Sequence, residues 1–348
     1  MERMRMSILA ILLATACTQA PAVEGDEVDS KKDGTAEPNS NAPTGTAQPE
    51  STSNSSPSTA NPPMAEPIQP DPPVVPPETP PPPMVGRCDP KKPFGTPKLV
   101  AGLNTAPSGI GRLSMDELTL VFQRTATNND IFVATRADRT AAWGEAKVIA
   151  PVSSPTFQDG APTITGDGLT MYFHSNRTPS SGDYDLWVSR RAKAEDAWGT
   201  PARVTALAST LRDEFPFVRA DGRMMVFGSN RGTAPTTYDL YRAYIDETGA
   251  PGAPTKITEL STTTADESNP VLTPDGLVLY FARRGVSMDI FVARRAALNV
   301  AFGAPTRIEE LTTPGDERPS WISPDDCQLW YTAFGTGKSE LYIAERGM

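Results

Sequence analysis

Histidine, cysteine and the motifs of common enzymes are scarce in this sequence. Its 348 residues contain one histidine and three cysteines, and no GxSxG, HExxH, CxxC or GxxxxGK[ST] motif. Such motifs carry the nucleophile, the metal ligands or the phosphate-binding loop of many enzymes. Their absence excludes the local signatures of most hydrolases, zinc enzymes and nucleotide-binding proteins.

Aromatic residues are missing from the first quarter of the chain, since the first of them is Phe94. The same segment is rich in proline, and a chain of that composition cannot bury enough apolar surface to fold. We therefore expect a folded part of about 260 residues, which spans 88–348.

Positive charge is in short supply as well. The chain has 32 Lys and Arg against 42 Asp and Glu, a net charge of -10, and most of the excess acid lies in residues 18–87. Binding to nucleic acid or to anionic lipid needs a basic stripe on the surface. The sequence therefore predicts no nucleic-acid partner.

The N-terminus has the pattern of an export signal. Arg3 and Arg5 precede the apolar run 8–14, which is shorter than the about 20 residues that a membrane span needs. Residues 13–17, Leu-Ala-Thr-Ala-Cys, resemble the lipobox of bacterial lipoproteins. This resemblance implies a signal peptide over 1–16 followed by a lipidated cysteine.

Lipidation of Cys17 would tie the protein to a membrane, because several acyl chains together give stable anchoring. Many lipoproteins of Gram-negative bacteria are retained in the inner membrane by an Asp after the lipidated cysteine. Thr18 stands there instead, which favours the outer membrane of the cell envelope. The alternative is an ordinary signal peptide with a chance cysteine.

Residues 17–87 are predicted to form a disordered, proline-rich tether. Within them, residues 61–84 read NPPMAEPIQPDPPVVPPETPPPPM, a composition that favours polyproline II at about 3.1 Å per residue. We interpret the segment as a spacer between anchor and folded domain. A ligand for a proline-recognition module is the alternative.

From Phe94 onward the chain repeats itself, and such repeats decide the fold. An Asp, often followed by Gly, precedes an apolar run in five copies spaced by 51, 54, 54 and 50 residues, which begin at Asp116, Asp167, Asp221, Asp275 and Asp325. An acidic-aliphatic-aromatic element follows in every copy, at Asp130, Asp185, Asp239, Asp289 and Glu340.

Each unit is predicted to form four strands. Units of about 50 residues with four short antiparallel strands and an aromatic signature are typical of β-propeller blades. The fifth position of the acidic-aliphatic-aromatic strand is always small, which lets neighbouring blades approach closely: Ala134, Ser189, Ala243, Ala293 and Ala344.

The ends of the array predict how the ring closes. Phe94-Gly-Thr-Pro97 matches the last-strand element Trp198-Gly-Thr-Pro201 but stands alone before the first unit, and the last unit has no such element. The N-terminal strand should therefore act as a clasp that completes the C-terminal blade. Five copies of each element predict an all-β propeller of five four-stranded blades.

The units 166–177 (GDGLTMYFHSNR), 219–231 (RADGRMMVFGSNR) and 273–284 (TPDGLVLYFARR) resemble the WD40-like propeller repeat of the TolB-like family. The resemblance covers residues 94–348 but not that family's separate N-terminal domain, so the protein interactions of TolB are not implied. Family members usually have six blades, which leaves six as the alternative to five.

Seven carboxylates are candidates for binding a ligand or a cation. They precede the predicted innermost strands, whose closure into a ring would bring them toward one end of the central channel: Asp159, Asp213, Glu214, Asp266, Glu267, Asp316 and Glu317. Such oxygens could bind calcium, orient sugar hydroxyls or serve a glycosidase. Recurrence in like environments disfavours catalysis, and turn capping is the structural alternative. No other cofactor is predicted.

Two further sets of polar residues are assigned structural roles. His174 has no counterpart in the other units and is predicted to be a surface histidine at a strand end. Repeated residues usually build blades, so the carboxylates of Asp130, Asp185, Asp239 and Asp289 are expected to accept hydrogen bonds from backbone N–H groups of the preceding loop.

Cys88 and Cys327 are predicted to form a disulfide. With Cys17 lipidated, they remain as an even number of cysteines in an oxidising compartment. Cys88 lies just before the clasp, and Cys327 lies in the blade that the clasp completes. Two free thiols are the alternative.

Together these features predict a lipid-anchored protein whose propeller is a non-catalytic binding or scaffold module for an envelope protein or polysaccharide. The alternative is a carbohydrate-active enzyme, a glycosidase or lyase, that uses carboxylates at the channel mouth. Such an enzyme should have a deep channel pocket lined by acids and aromatics that are specific to single blades.

Overall fold

Five sheets of four antiparallel strands build the folded part of this chain. The structure, a computed structural model, describes residues 87–348 except 126–127, 181–182, 233–235 and 336. The predicted signal peptide, Cys17 and nearly all of the predicted tether lie outside the described residues. Within the described part, no helix is both long enough and apolar enough to span a membrane.

Each sheet is one blade, and its innermost strand comes first in the chain. The strands are β1 Lys98–Leu99; in blade 1, β2 Ser108–Leu113, β3 Thr119–Thr125, β4 Asn129–Thr135 and β5 Lys147–Val148; in blade 2, β6 Asp159–Ile164, β7 Thr170–Ser175, β8 Asp185–Arg190 and β9 Ala202–Arg203; in blade 3, β10 Asp213–Val218, β11 Met224–Ser229, β12 Asp239–Tyr244 and β13 Thr255–Lys256; in blade 4, β14 Glu267–Leu272, β15 Val278–Arg284, β16 Met288–Arg294 and β17 Thr306–Arg307; and in blade 5, β18 Asp316–Ile322, β19 Gln328–Phe334 and β20 Ser339–Glu345. Short 3₁₀ helices follow β13 at Thr258–Leu260 and β17 at Glu309–Leu311. The predicted five-bladed propeller is confirmed.

Blade 5 takes its outermost strand from the N-terminal end of the domain. Strand β1 pairs with β20, with Lys98 opposite Ile343 and Leu99 opposite Tyr342. The Cys88–Cys327 disulfide joins the start of the clasp to the same blade. Both the predicted clasp and the predicted disulfide are confirmed.

The blades pack through the second strand, which is buried on both faces. Its aromatic residues are 0% exposed in four blades: Phe122, Phe173, Phe227 and Phe281. The small residues of the third strand are 0–1% exposed, as expected for positions where adjacent sheets meet: Ala134, Ser189, Ala243, Ala293 and Ala344. Close approach of this kind leaves no room for larger side chains.

The Asp-Gly turns between the first and second strands need a left-handed residue. Gly168, Gly222 and Gly276 adopt it with φ of 70 to 72°, a conformation in which glycine avoids the clash of a Cβ atom. Blades 1 and 5 place Glu117 (φ 64°) and Asp326 (φ 57°) there instead. Both carboxylates lie beside arginine side chains.

Arg87 links these two exceptional blades at their turns. Its guanidinium lies 3.2 Å from Glu117 of blade 1 and 3.0 Å from Asp325 of blade 5. It immediately precedes Cys88. The point where the chain enters the propeller is therefore fixed by two ion pairs and one disulfide.

Candidate functional site

Four of the seven candidate carboxylates lie at the first or second residue of innermost strands and occupy one equivalent position. Asp159, Asp213, Glu267 and Glu317 lie opposite Ser175, Ser229, Arg283 and Ala333 of the neighbouring strand. Each accepts a hydrogen bond from a backbone N–H of the loop before its strand, donated by Ser154, Ser209, Thr262 and Thr313 respectively. These contacts favour turn capping for this group.

Three of the four also neutralise an arginine of their own blade. Arg177 lies 2.5 Å from Asp159, and its guanidinium packs against the rings of Phe173 and Trp187. Arg231 pairs with Asp213 in the same way, and Arg283 pairs with Glu267 at 3.0 Å. Burial raises the pKa of Asp159, while Ser175 and Arg177 oppose that rise.

The register separates residues that look alike in sequence. Asp213-Glu214, Asp266-Glu267 and Asp316-Glu317 form the same acidic pair in sequence, but Asp213 is structurally equivalent to Glu267. Glu214 is equivalent to Ser268 and Arg318. The acidic pairs are therefore offset by one residue between blades, and the offset leaves Glu214 as a carboxylate specific to blade 3.

Asp266 and Asp316 connect neighbouring blades. Each accepts the backbone N–H at the start of the preceding blade's third strand, from Tyr238 and Met288 respectively. Arg284 lies 3.1 Å from Asp266 and 3.7 Å from Asp316, so one guanidinium bridges both carboxylates.

The repeated aspartates of the third strand have partners that the sequence analysis did not identify. Lys256 pairs with Asp239 at 2.8 Å, and Arg307 lies 3.5 Å from Asp289. The partners that the structure describes for these two carboxylates are thus basic side chains of the fourth strand. In both pairs the basic residue lies in the fourth strand of the same blade, 17 or 18 positions after the aspartate. This nearly constant spacing could have predicted the ion pairs from the sequence.

Asp213 provides a direct test of these blade-building carboxylates. We expect Asp213→Asn to lower the free energy of unfolding by about 2 kcal/mol, because hydrogen bonds to a buried charge are weakened. Asp266→Asn, at a more exposed site, should cost clearly less. Urea unfolding of both variants measures the difference, and equal losses would contradict the assignment.

His174 is not the surface residue that was predicted. It is 6% exposed, and its Nδ1 accepts the backbone N–H of Phe215 from the next blade at 3.3 Å. Burial, with a smaller contribution from Arg212, lowers its pKa to about 3. The side chain is therefore a neutral acceptor inside the seam between blades 2 and 3.

Two other seams use the same bond with different side chains. The N–H of Ile110 donates to Thr332 at 2.8 Å, and that of Ala161 donates to Gln123 at 3.3 Å. In blade 5 the equivalent residue is Pro319, which has no N–H, and the facing position in blade 4 is Ala282. The side chain at this second-strand position thus varies with the next blade, and it accepts a hydrogen bond in these seams where that blade presents a backbone N–H.

Aromatic rings line up at the channel end where the innermost strands begin. The ring centroids of Tyr184 and His174 are 5.2 Å apart, those of His174 and Phe215 are 5.3 Å apart, and those of Phe215 and Tyr238 are 6.1 Å apart. The Arg212 guanidinium lies 4.6 Å from the Tyr184 centroid. We call this group, with the adjoining carboxylate, the mouth patch: His174, Tyr184, Arg212, Glu214, Phe215 and Tyr238.

The mouth patch belongs to blades 2 and 3. The residues equivalent to Phe215 share no aromatic character: Ile110, Ala161, Asn269 and Pro319. The sequence analysis weighed His174 and Glu214 separately and missed the group, because its members come from segments that are far apart in the chain. The available signal in the sequence was that these residues differ from their counterparts in the other blades.

Glu214 is the carboxylate of the mouth patch. It is 6% exposed, accepts a hydrogen bond from the Tyr238 hydroxyl and lies 3.8 Å from Arg212, which also pairs with Asp183. Burial raises its pKa, against the opposing effects of Tyr238 and Arg212. Its environment therefore differs from that of the turn-capping acids.

The opposite end of the channel is narrow. A cavity of about 30 Å³ lies near the Asp-Gly turns, and no acidic side chain lines it. Within the described residues, no group of three or more His, Cys, Asp or Glu side chains is arranged to hold a metal ion.

Comparison with known proteins adds only the fold. No protein-family model matches the chain, and no curated protein matches it. Solved structures similar to it include TolB proteins. TolB from Acinetobacter baumannii is 17% identical with a TM-score of 0.46, over 70% of this chain and 55% of that one, so this chain spans about half of its length.

Other similar structures are a Dyadobacter fermentans protein of unknown function and a thermostable family-43 glycoside hydrolase. The first is 11% identical with a TM-score of 0.49, over 73% of this chain and 98% of that one. The second is 10% identical with a TM-score of 0.46, over 70% and 90%.

Proposed function

We propose that this protein is a lipoprotein of the bacterial cell envelope, anchored in the outer membrane through Cys17, whose propeller binds an envelope protein or polysaccharide without catalysing a reaction. The mouth patch is the observation that carries this proposal. This patch is specific to blades 2 and 3 and lies at one end of the channel. Four of the acids that were predicted to form a ligand-binding ring instead accept hydrogen bonds from backbone N–H groups of the preceding loops.

Binding suits the chemistry of the mouth patch. Phe215 and Tyr238 are partly exposed, and Arg212 holds its guanidinium beside the ring of Tyr184. Aromatic and arginine side chains contribute most to many binding surfaces, since they bury large areas and still offer hydrogen bonds. Their faces suit sugar rings as well as peptide side chains.

The disulfide supports export. Such bonds form and persist outside the cytoplasm, where thiols are not kept reduced. A covalent link between Cys88 and Cys327 therefore agrees with the export signal read at the N-terminus.

The anchor is tested at Cys17. We expect Cys17→Ser to abolish fatty-acid labelling and stable membrane retention, because the acyl chains provide the anchoring energy. Metabolic labelling with a fatty acid followed by membrane fractionation measures both. A wild-type protein without label would overturn the lipoprotein proposal.

Binding is tested at Phe215, whose φ is 57°. Asn tolerates this conformation, and Asn269 holds the equivalent position with φ 53°, so Phe215→Asn removes the ring without straining the strand. We expect this variant to lose the partners that the full-length wild-type protein retains from solubilised envelope. Glu247→Ala, at a side chain that is 84% exposed away from the patch, is the control.

Retention of the same partners by Phe215→Asn would place binding elsewhere on the propeller. A thermal melt of each variant, compared with that of the wild type, separates loss of binding from loss of folding.

The carbohydrate-active alternative is favoured by two observations, the blade-specific acid and aromatic rings of the mouth patch and the raised pKa of Glu214. Glycoside hydrolysis needs one protonated acid beside an ionised carboxylate, and Asp183 shares Arg212 with Glu214. Release of reducing sugar from envelope polysaccharide by the wild type, and not by Glu214→Gln, would establish the enzyme. Binding without release supports the non-catalytic module.

A further inference from the structure

A positive charge is buried in the central channel without a counter-ion from the described chain. Arg112 of β2 is 1% exposed, and it donates to the carbonyl oxygens of Ser320, Pro216 (3.3 Å) and Pro270 (3.4 Å). Its guanidinium also lies 4.7 Å from the centroid of the Phe217 ring. Burial lowers the pKa of Arg112 to about 9.

Arg219 shows what a compensated arginine looks like in the same fold. It is equally buried, at 1% exposed, but Asp221 lies 2.6 Å from its guanidinium. Neutral carbonyls solvate Arg112 only partly, and an unpaired buried charge costs much more than a paired one. Arg112 therefore calls for a negative charge from outside the described chain.

Arg112 lines the cavity of about 30 Å³ near the Asp-Gly turns. The other walls are mostly apolar and include Phe217, Leu272 and Trp321. The volume exceeds the about 10–15 Å³ that one water-sized particle needs. The cavity thus has room for a small ion or a water molecule beside Arg112.

The Nε of Arg112 itself is a buried donor with no acceptor within the described part of the chain. Thr163, in the cavity wall, accepts the N–H of Val218 at 3.3 Å and so keeps its own O–H proton available. Buried donors normally find partners, and unpaired donors beside a cation match an acceptor with negative charge.

We propose that the central channel binds one small monovalent anion, of the size of chloride, against Arg112. The anion neutralises the guanidinium and accepts a hydrogen bond from the hydroxyl of Thr163. Arg112 itself lies in the inner strand of blade 1 and donates to carbonyls in the inner strands of blades 3, 4 and 5. An anion bound to Arg112 therefore stabilises the contact between these four strands. The site is structural and lies at the opposite end of the channel from the mouth patch.

Thermal unfolding of the full chain tests this site. We compare sodium chloride with sodium gluconate at equal ionic strength, because gluconate is a much larger anion than chloride. A ligand that binds only the folded state raises the melting temperature by mass action, here by about 3 °C or more. Equal melting temperatures in the two salts would overturn the proposal.

Bromide provides a direct view of the same site. Crystals grown in bromide should show an anomalous peak in contact with the Arg112 guanidinium. Water alone at that place would overturn the proposal, whatever the melting temperatures.

Arg112→Met removes the charge while keeping a similar volume, and it should abolish both the chloride effect and the bromide peak. Arg219→Gln is the matched control, an equally buried arginine whose counter-ion lies in the chain, and it should keep both. If Arg112→Met fails to fold, the two wild-type measurements still decide the question.

Discussion

Removing the Cys88–Cys327 disulfide should lower the melting temperature of the propeller by about 10 °C. The two cysteines are 239 residues apart, and for a loop of that length the chain-entropy model gives up to about 5 kcal/mol of stabilisation. At about 2–4 °C per kcal/mol for a domain of this size, the loss is large. Cys88→Ser is the preferred variant, because Cys88 is less buried than Cys327.

Reductant gives the matched control for this prediction. It should lower the melting temperature of the wild-type protein as much as Cys88→Ser does, and it should leave that variant unchanged. Cys17→Ser should melt like the wild type, because Cys17 takes no part in the bridge. A fully reduced wild type that melts at its oxidised temperature would show that the clasp holds the ring without the bond.

Replacing His174 should open the seam between blades 2 and 3. We expect His174→Ala to lower the free energy of unfolding by about 3 kcal/mol, because the Phe215 N–H loses its acceptor and a cavity replaces the ring. His174→Gln should recover much of that loss, since Gln123 accepts the equivalent N–H in the neighbouring seam. Urea unfolding at pH 7 measures both variants, and equal losses would contradict the acceptor role.

The same histidine should make stability depend on pH. Its pKa is about 3 in the folded protein and near 6.5 when unfolded, so the unfolded chain binds more protons between those values. Stability therefore rises with pH across that window, by up to about 1.4 kcal/mol per unit. It is fully present above pH 6.5 and is lost as the pH falls toward 3.

His174→Gln isolates this contribution. Burial raises the pKa of Asp159, Glu267 and Glu317, which gives slopes of the opposite sign in both proteins. The wild-type curve should therefore rise more steeply with pH than the variant's curve between pH 3 and 6.5. Parallel curves would contradict the buried neutral histidine.

The architecture was predictable because it depends on spacing along the chain. Five copies of one pattern predicted five blades, and the unpaired element at Phe94 predicted the clasp. The pairing of Cys88 with Cys327 was predictable because Cys88 lies just before the clasp strand and Cys327 lies in the blade that this strand completes. None of these inferences required knowledge of which side chains touch.

The candidate site was less predictable because it depends on contacts across seams. His174 meets Phe215, 41 positions later, only after two blades have packed. The acidic pairs recur in sequence but occupy different strand positions, since a shift of one residue changes which neighbour each side chain meets. Arg112 was missed because nothing in the sequence shows that its neighbours in the channel are carbonyls.

The position of the disulfide determines how the propeller would bear a mechanical load. Residues before Cys88 connect the domain to the proposed anchor, so tension in that segment reaches Cys88 before it reaches the two-residue strand β1. The bond passes the load across to Cys327, next to the first residue of β19, a central strand of blade 5. The short clasp is thereby shielded from peeling, and an oxidised domain should withstand pulling from its N-terminal side far better than a reduced one.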